Sequence, residues 1–201
     1  MKRKSGSKTL LLSVMMSAPG PLVVGLGLLT GKSSTQLADF FRRSAELLAI
    51  ISSYVVFQMT NREGESDPDR KTRLERRSNL FVGGMMCVSG TIMLMLAFFS
   101  GSSEKGNVIP GLSIAVMGVV ANTLFWRKYA RLNREAPNAI LSVQSRLYRA
   151  KTLVDGCVTI ALASVALFPA SVVSERLDMI GSVIVAVYLI RCGVKTIREF
   201  L

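Results

Sequence analysis

Histidine is missing from this 201-residue chain. Its absence removes the commonest metal ligand and the one side chain that ordinarily changes charge near neutral pH. Cysteine is scarce. Cys87, Cys157 and Cys192 stand far apart, each inside an apolar run, and form no Cys-x-x-Cys pair of the redox or zinc-binding kind. No nucleophile with an adjacent base and no metal triad can be picked out, so the chain reads as a non-enzyme with no bound cofactor. Acidic residues are also few, 13 against 25 Lys and Arg, which leaves a formal charge of +12. Such a balance can signal nucleic acid, but here the cations form short clusters between long apolar runs rather than a basic stripe interleaved with aromatics. Nucleic acid is therefore not an expected partner. Strand-like alternation, fixed-period repeats and low-complexity tracts are absent too.

What the chain has instead is apolar length. Half of its residues are apolar, a composition that soluble domains of this size rarely combine with so high a charge. A bilayer core of about 30 Å needs roughly 20 apolar residues per helix, and six runs approach that length: 9–30, 36–59, 78–100, 108–127, 141–168 and 176–197. The expected fold is an all-α integral membrane bundle of six transmembrane helices. It forms one domain over residues 1–201, with no cytoplasmic domain after the sixth span. The basic start and first apolar stretch resemble a signal peptide, but the stretch continues to Leu29 and is read as a retained span. Pro19, Gly20 and Pro21 in the first run, and Gly83 and Gly84 in the third, would break a soluble helix but are tolerated among packed membrane helices.

The connections give the orientation. Lys2, Arg3, Lys4 and Lys8 precede the first span; Arg62, Arg70, Lys71, Arg73, Arg76 and Arg77 fill the second connection; Arg127, Lys128, Arg131, Arg134 and Arg146 surround the fourth. The other three connections hold only Lys32, Lys105 and Arg176. By the positive-inside rule both termini are cytoplasmic. The expected location is the inner (cytoplasmic) membrane, multi-pass, with the lipid bilayer as first partner. The segment NREGESDPDRKTR, polar and bearing Pro and Gly, reads as a flexible cytoplasmic loop.

Against this background some charges are out of place. The second span opens ADFFRRSAELLAIIS, where Asp39, Arg42 or Arg43, and Glu46 share one helical face. Asp39 lies near the outer end and can snorkel; Glu46 lies nearer the middle. In the fifth span Lys151 and Asp155 are four apart, as are Arg42 and Glu46, so each pair stacks on one face. Intramembrane ions are costly unless they pair or meet water, so these four are expected to face one another in the bundle interior. They either form two salt bridges that help packing or line a transport site. Met85, Met86, Met93 and Met95 could offer thioethers to a soft ion such as copper(I), although Met is also a common core filler. Gly27 and Gly31 have a spacing that permits close helix contact or simply marks a flexible helix end.

The ordered set of these features resembles the transmembrane domain of the cation diffusion facilitator family. GLLTGKSSTQLADFFRRSAELLA is similar to that family's approach to its second helix, and TRLERRSNLFVGG to the approach to its third. Asn122 falls where the fourth helix often carries Asn, and RLDMIGSVIVAVYLIRCGVKTIREFL resembles the sixth, with Asp178 at its acidic position. The resemblance implies a six-helix protomer that dimerises through membrane helices and exports divalent metals, commonly against protons. It also implies a four-ligand site, His or Asp followed four residues later by Asp, on the second and fifth helices.

Carried over, those positions are Arg42 and Glu46, then Lys151 and Asp155, so both carboxylates remain while cations occupy the other two positions. Two His and two carboxylates would total −2, matching a divalent ion; Arg, Glu, Lys and Asp total zero with nothing bound. Zinc needs lone-pair donors, and unit charges about 4 Å apart repel by about 4 kcal/mol even at an effective dielectric of 20. Ordinary zinc binding is thus disfavoured, and only Glu46 and Asp155 remain as metal ligands if there are any. The expected function is a cation-efflux-like secondary transporter with a central site of Arg42, Glu46, Lys151 and Asp155, and accessory Asp39, Asn122 and Asp178. A small cation or proton would be substrate or coupling ion, and a divalent metal could enter only as substrate. The alternative is a transport-inactive relative acting as a structural or partner-binding membrane protein.

Overall fold

The computed structural model describes residues 2–30, 34–60, 68–99, 109–167 and 172–201, and every regular element among them is a helix. In chain order these are α1 (Lys2–Ser17), α2 (Pro19–Thr30), α3 (Ser34–Thr60), α4 (Pro68–Phe99), α5 (Ile109–Glu135), α6 (Ala139–Leu167) and α7 (Val172–Phe200).

The first apolar run, expected as one helix over 9–30, is divided at Ala18 into α1 and α2. Pro19 and Pro21 lack the N–H groups that an unbroken ladder requires, and Pro19 takes the first position of α2, where its fixed φ suits a helix start. The Ala18 N–H still donates to the Val14 carbonyl at 2.9 Å, so the break is local. The polar loop expected after the second run is also partly helical. Pro68 opens α4 with Asp69 in the first turn, where a carboxylate is favoured by the helix dipole, and residues 61–67 lie outside the described ones. Between α5 and α6 only residues 136–138 are non-helical. Asn138 caps α6 by accepting the N–H groups of Ile140 and Leu141 on its Oδ1 at 3.0 and 3.2 Å.

Contacts gather one set of helix ends at a single basic pole. Tyr129 near the end of α5 donates to Ser13 on α1, and Gly6 on α1 faces the Phe57 ring near the end of α3. Asn138 donates to Glu75 on α4, while Arg76 donates to the backbone oxygens of Phe200 and Leu201, and Arg146 on α6 pairs with Glu199 on α7. By length and composition three described stretches can cross a membrane: Ser5–Leu26, Pro68–Phe98 and Met179–Phe200. Helices α3 and α6 are long enough, but the ionic residues in each lower its apolar character.

The bundle is apolar outside as well as in its core, and some polar groups are buried with that core. Large apolar side chains such as Leu22, Phe98, Met117, Ile160 and Ile184 point outward, whereas Glu46, Ser53, Asn79, Gln144 and Thr196 are buried. An apolar exterior of this extent belongs against lipid.

The tightest packing joins α4 to α7. A Cβ built on Gly83 would sit 3.0 Å from the Gly193 carbonyl oxygen, and one on Gly193 would sit 2.6 Å from both Gly83 O and Cys87 Sγ. Gly90 meets Ala186 O in the same way at 2.9 Å. Small residues let two backbones approach this closely, and in lipid such packing replaces the missing hydrophobic drive between helices. The four methionines do not share a face: Met86 and Met93 belong to the core, Met85 packs on it half-buried, and Met95 is exposed. The Gly27 and Gly31 spacing runs into residues outside the described ones.

Candidate functional site

The inner face of α3 is made by Ala45, Glu46, Ala49, Ile50, Ser53 and Phe57, all buried. Their i, i+3/4, i+7 spacing turns one stripe of the helix toward the bundle, and Glu46 lies in that stripe. One turn earlier, Arg42 Nη1 donates to Glu46 Oε1 at 3.1 Å. Across the bundle, Lys151 Nζ on α6 reaches Glu46 Oε2 at 3.4 Å. The three side chains are 12%, 8% and 15% exposed for Arg42, Glu46 and Lys151, so the cluster lies inside the protein. Arg43 takes a different direction, with its guanidinium beside Gly20 of α2.

Asp155 shares its face of α6 with Lys151 and takes its hydrogen bond from α5. Asn122 Nδ2 on α5 donates to Asp155 Oδ2 at 2.5 Å, while the ion pair of Lys151 among the described residues is with Glu46. The reason is backbone geometry. A Cβ on Gly118 would lie 2.6 Å from Asp155 Oδ2, so α5 passes directly against the carboxylate, and Asn122, one turn on, presents its amide to it. Lys151 instead finds in Glu46 a carboxylate with one oxygen free of Arg42. Arg42, Glu46 and Lys151 are therefore brought together, with Asp155 and Asn122 as an adjoining pair. The side chains of Asp39 and Asp178 lie outside the described ones.

Below the cluster, toward the basic pole, sits an aromatic floor. Lys151 Nζ lies 5.3 Å from the centroid of the Tyr148 ring, a cation over a π face. Tyr148 packs with Phe125 and Tyr129 at centroid distances of 5.1 and 5.4 Å. A hydroxyl stripe on α1 receives this group: Tyr129 donates to Ser13 Oγ at 2.8 Å, and Tyr148 shares a 3.4 Å contact with Ser17 Oγ. Burial, and then the neighbouring Tyr148, push the Tyr129 hydroxyl above the ordinary phenol range, so it remains a neutral donor. Two turns from the ions, Gln144 Nε2 donates to Ser53 Oγ at 2.7 Å, a second polar tie between α6 and α3.

Reasoning from sequence overlooked Gly118, Tyr148 and the Gln144 to Ser53 tie. The spacing of Gly118 and Asn122 on one face was readable; the partner of that face was not. Among the described residues no group of three His, Cys, Asp or Glu side chains could hold a metal ion.

The family model of the cation efflux transmembrane domain matches residues 10–201. The chain belongs to the cation efflux family. No curated protein sequence matches it. In this cation efflux protein, Glu46 is a carboxylate bridged by two cations, Arg42 and Lys151, and Asp155 is a carboxylate that accepts from the Asn122 amide. Membership places the chain among membrane cation transporters, and the exposed apolar belt agrees with that setting.

Proposed function

We propose that the protein is a secondary transporter of the cation efflux type, built of six spans with both termini on the cytoplasmic side and paired as a homodimer through membrane helices. The gathering of alternate helix ends at the basic pole supports six up-and-down passes. The observation that carries the transport reading is the shared carboxylate: Glu46 accepts Arg42 at 3.1 Å and Lys151 at 3.4 Å, and supplies its full negative charge to groups of the protein itself.

Arg42 keeps its charge throughout, because a guanidinium does not deprotonate in proteins, whereas an ammonium can. An arriving cation would displace Lys151 from Glu46 Oε2, and Lys151 would release one proton to water. Its departure would restore the protonated amine and the bridge. A monovalent cation brings one unit of positive charge for the one proton that leaves, so the buried site stays neutral in both states, whereas a divalent ion would leave it at +1. Asp155, steadied by Asn122, supplies the second carboxylate. This arrangement disfavours zinc, which would sit beside a permanent guanidinium.

The test is cation flux into proteoliposomes under an imposed pH gradient, for a panel of monovalent and divalent ions. The unaltered chain should move a cation with a rate that depends on pH, and Lys151→Ala should abolish that dependence. Flux and pH dependence unchanged in Lys151→Ala would overturn the reading.

A second reading draws on the same bridge. Because Lys151 to Glu46 joins α6 to α3, it can also act as a lock in a transport-inactive relative that serves a partner. In that case Lys151→Leu with Asp155→Leu preserves the fold and any cellular phenotype; a transporter loses the phenotype.

A further inference from the structure

Helix α7 turns Val185, Ala186, Leu189, Gly193 and Thr196 into the bundle. Its opposite face runs Ile180, Ile184, Val187, Arg191, Val194 and Arg198, all exposed, at the i, i+4, i+7 spacing of a single stripe. The stripe is apolar for its first half and then becomes basic, with Lys195 beside it. A groove of about 540 Å³ lies along this part of the helix, lined by the apolar Val187, Ile190 and Val194, the cationic Arg191, Lys195 and Arg198, and the carboxylate of Glu199 at its end.

Arg191 is the anomaly. It lies within the apolar stretch Met179–Phe200, faces outward, and has no ion-pair partner among the described residues; nor has Arg198. Lys195 has only Glu199 at 4.0 Å, and that carboxylate is already engaged by Arg146 of α6. A charged side chain on a lipid-facing surface is costly unless it reaches the interface or an anion reaches it. Arg191, Lys195 and Arg198 climb about 10 Å of helix toward the basic pole, a ladder from acyl-chain depth to headgroup depth.

We propose that this groove binds an anionic glycerophospholipid, its phosphate held among Arg191, Lys195 and Arg198 and its acyl chains laid along Val187, Ile190 and Val194. Charge decides between the possible occupants. Two copies inserted the same way and paired through this face would set Arg191 against Arg191, and Lys195 and Arg198 against themselves, at equal depth. Three like-charged rows in low dielectric repel, whereas an anionic lipid neutralises them and covers the apolar half as well. A free phosphate satisfies the cations but leaves the valines uncovered. The proposal needs only that α7 spans the membrane, and stands apart from the transport reading.

The test uses the full chain in zwitterionic detergent. Dioctanoyl phosphatidylglycerol and dioctanoyl phosphatidylcholine are titrated, and bound lipid and oligomeric mass are read together by native mass spectrometry. Phosphatidylglycerol should bind at least about tenfold more tightly, and each of Arg191→Gln, Lys195→Gln and Arg198→Gln should weaken it about fivefold, the effect of one cation near an anionic surface. Arg127→Gln with Lys128→Gln, on α5, should leave the preference intact. All three α7 side chains are exposed, so the variants should keep the unfolding temperature of the unaltered protein; if Lys195→Gln or Arg198→Gln does not, Arg191→Gln decides. Equal binding of the two lipids, or a preference that survives the α7 substitutions, would overturn the proposal. So would equally tight competition by inorganic phosphate, or a change of oligomeric mass in the variants, which would make the face a contact between copies.

Discussion

Lys151 and Glu46 join α6 to α3 through a 3.4 Å ion pair, and the second oxygen of Glu46 is already taken by Arg42 at 3.1 Å. The cluster is therefore asymmetric: one carboxylate serves two cations. Removing either cation leaves a complete pair, whereas removing the carboxylate takes the Glu46 contact from both cations at once. Glu46→Leu should lower stability by about 3–5 kcal/mol, the usual cost of removing one partner from a buried ionic cluster. Lys151→Met alone should lose about 1.5–3 kcal/mol, the size of one charged hydrogen bond. Denaturant midpoints of the purified variants check this order, and the reverse order would mean that Glu46 is not the hub.

Zinc affinity should respond to the two cations. The unaltered chain is expected to give no saturable zinc binding in calorimetry. Arg42→His with Lys151→His replaces both cations by lone-pair donors beside Glu46 and Asp155, and should gain at least about a hundredfold in affinity as the repulsion is relieved. Tight zinc binding by the unaltered chain would refute the charge argument.

Gly118 should tolerate no side chain. In Gly118→Ala the new methyl would lie 2.6 Å from Asp155 Oδ2, so α5 and α6 must separate or the carboxylate must leave Asn122. A loss of about 1–3 kcal/mol is expected, as for other overpacked sites. Gly156→Ala, where a Cβ meets nothing within 4 Å, should be neutral or gain up to about 1 kcal/mol from helix propensity. Thermal unfolding of the two variants side by side measures the difference.

Neighbouring glycines on α4 should behave oppositely. Gly83→Ala drives a methyl to 3.0 Å from the Gly193 carbonyl oxygen and should destabilise by about 1–3 kcal/mol, while Gly84→Ala enters open space and should be neutral or better. Matched unfolding curves for the pair would show that α4 and α7 are not in close backbone contact.

Much of the fold was legible because a bilayer imposes one length scale on apolar runs, and α4, α5, α6 and α7 all overlap the runs picked out for them. The break at Ala18 was signalled by Pro19 and Pro21, but tolerance of Pro in membrane helices argued the other way, and only the missing N–H groups decided it. The helical start of α4 was hidden by the polarity of its residues, which suits an exposed helix end as well as a loop. At the site, the i, i+4 spacing placed Arg42 beside Glu46 and set Lys151 on the same face as Asp155, but left open whether Lys151 pairs with Asp155 or with Glu46; the 3.4 Å ion pair is with Glu46. Spacing along one helix cannot rank a neighbour on the same helix against one across the bundle. That ranking depends on how closely backbones approach, which Gly118 controls for Asp155.

The hydrogen bond from Gln144 to Ser53 lies seven residues from Lys151 on one helix and seven from Glu46 on the other, so the two ties cross the same gap at heights about 10 Å apart. Any swing of α3 away from α6 must release one before the other. If the ions part first, the neutral amide and hydroxyl become the pivot and the gap opens on the side away from the basic pole; if the amide lets go first, the ions are the pivot and the gap opens toward it. Under the proposed transport reading, the order in which the two ties yield would select which face of the membrane gains access to Glu46.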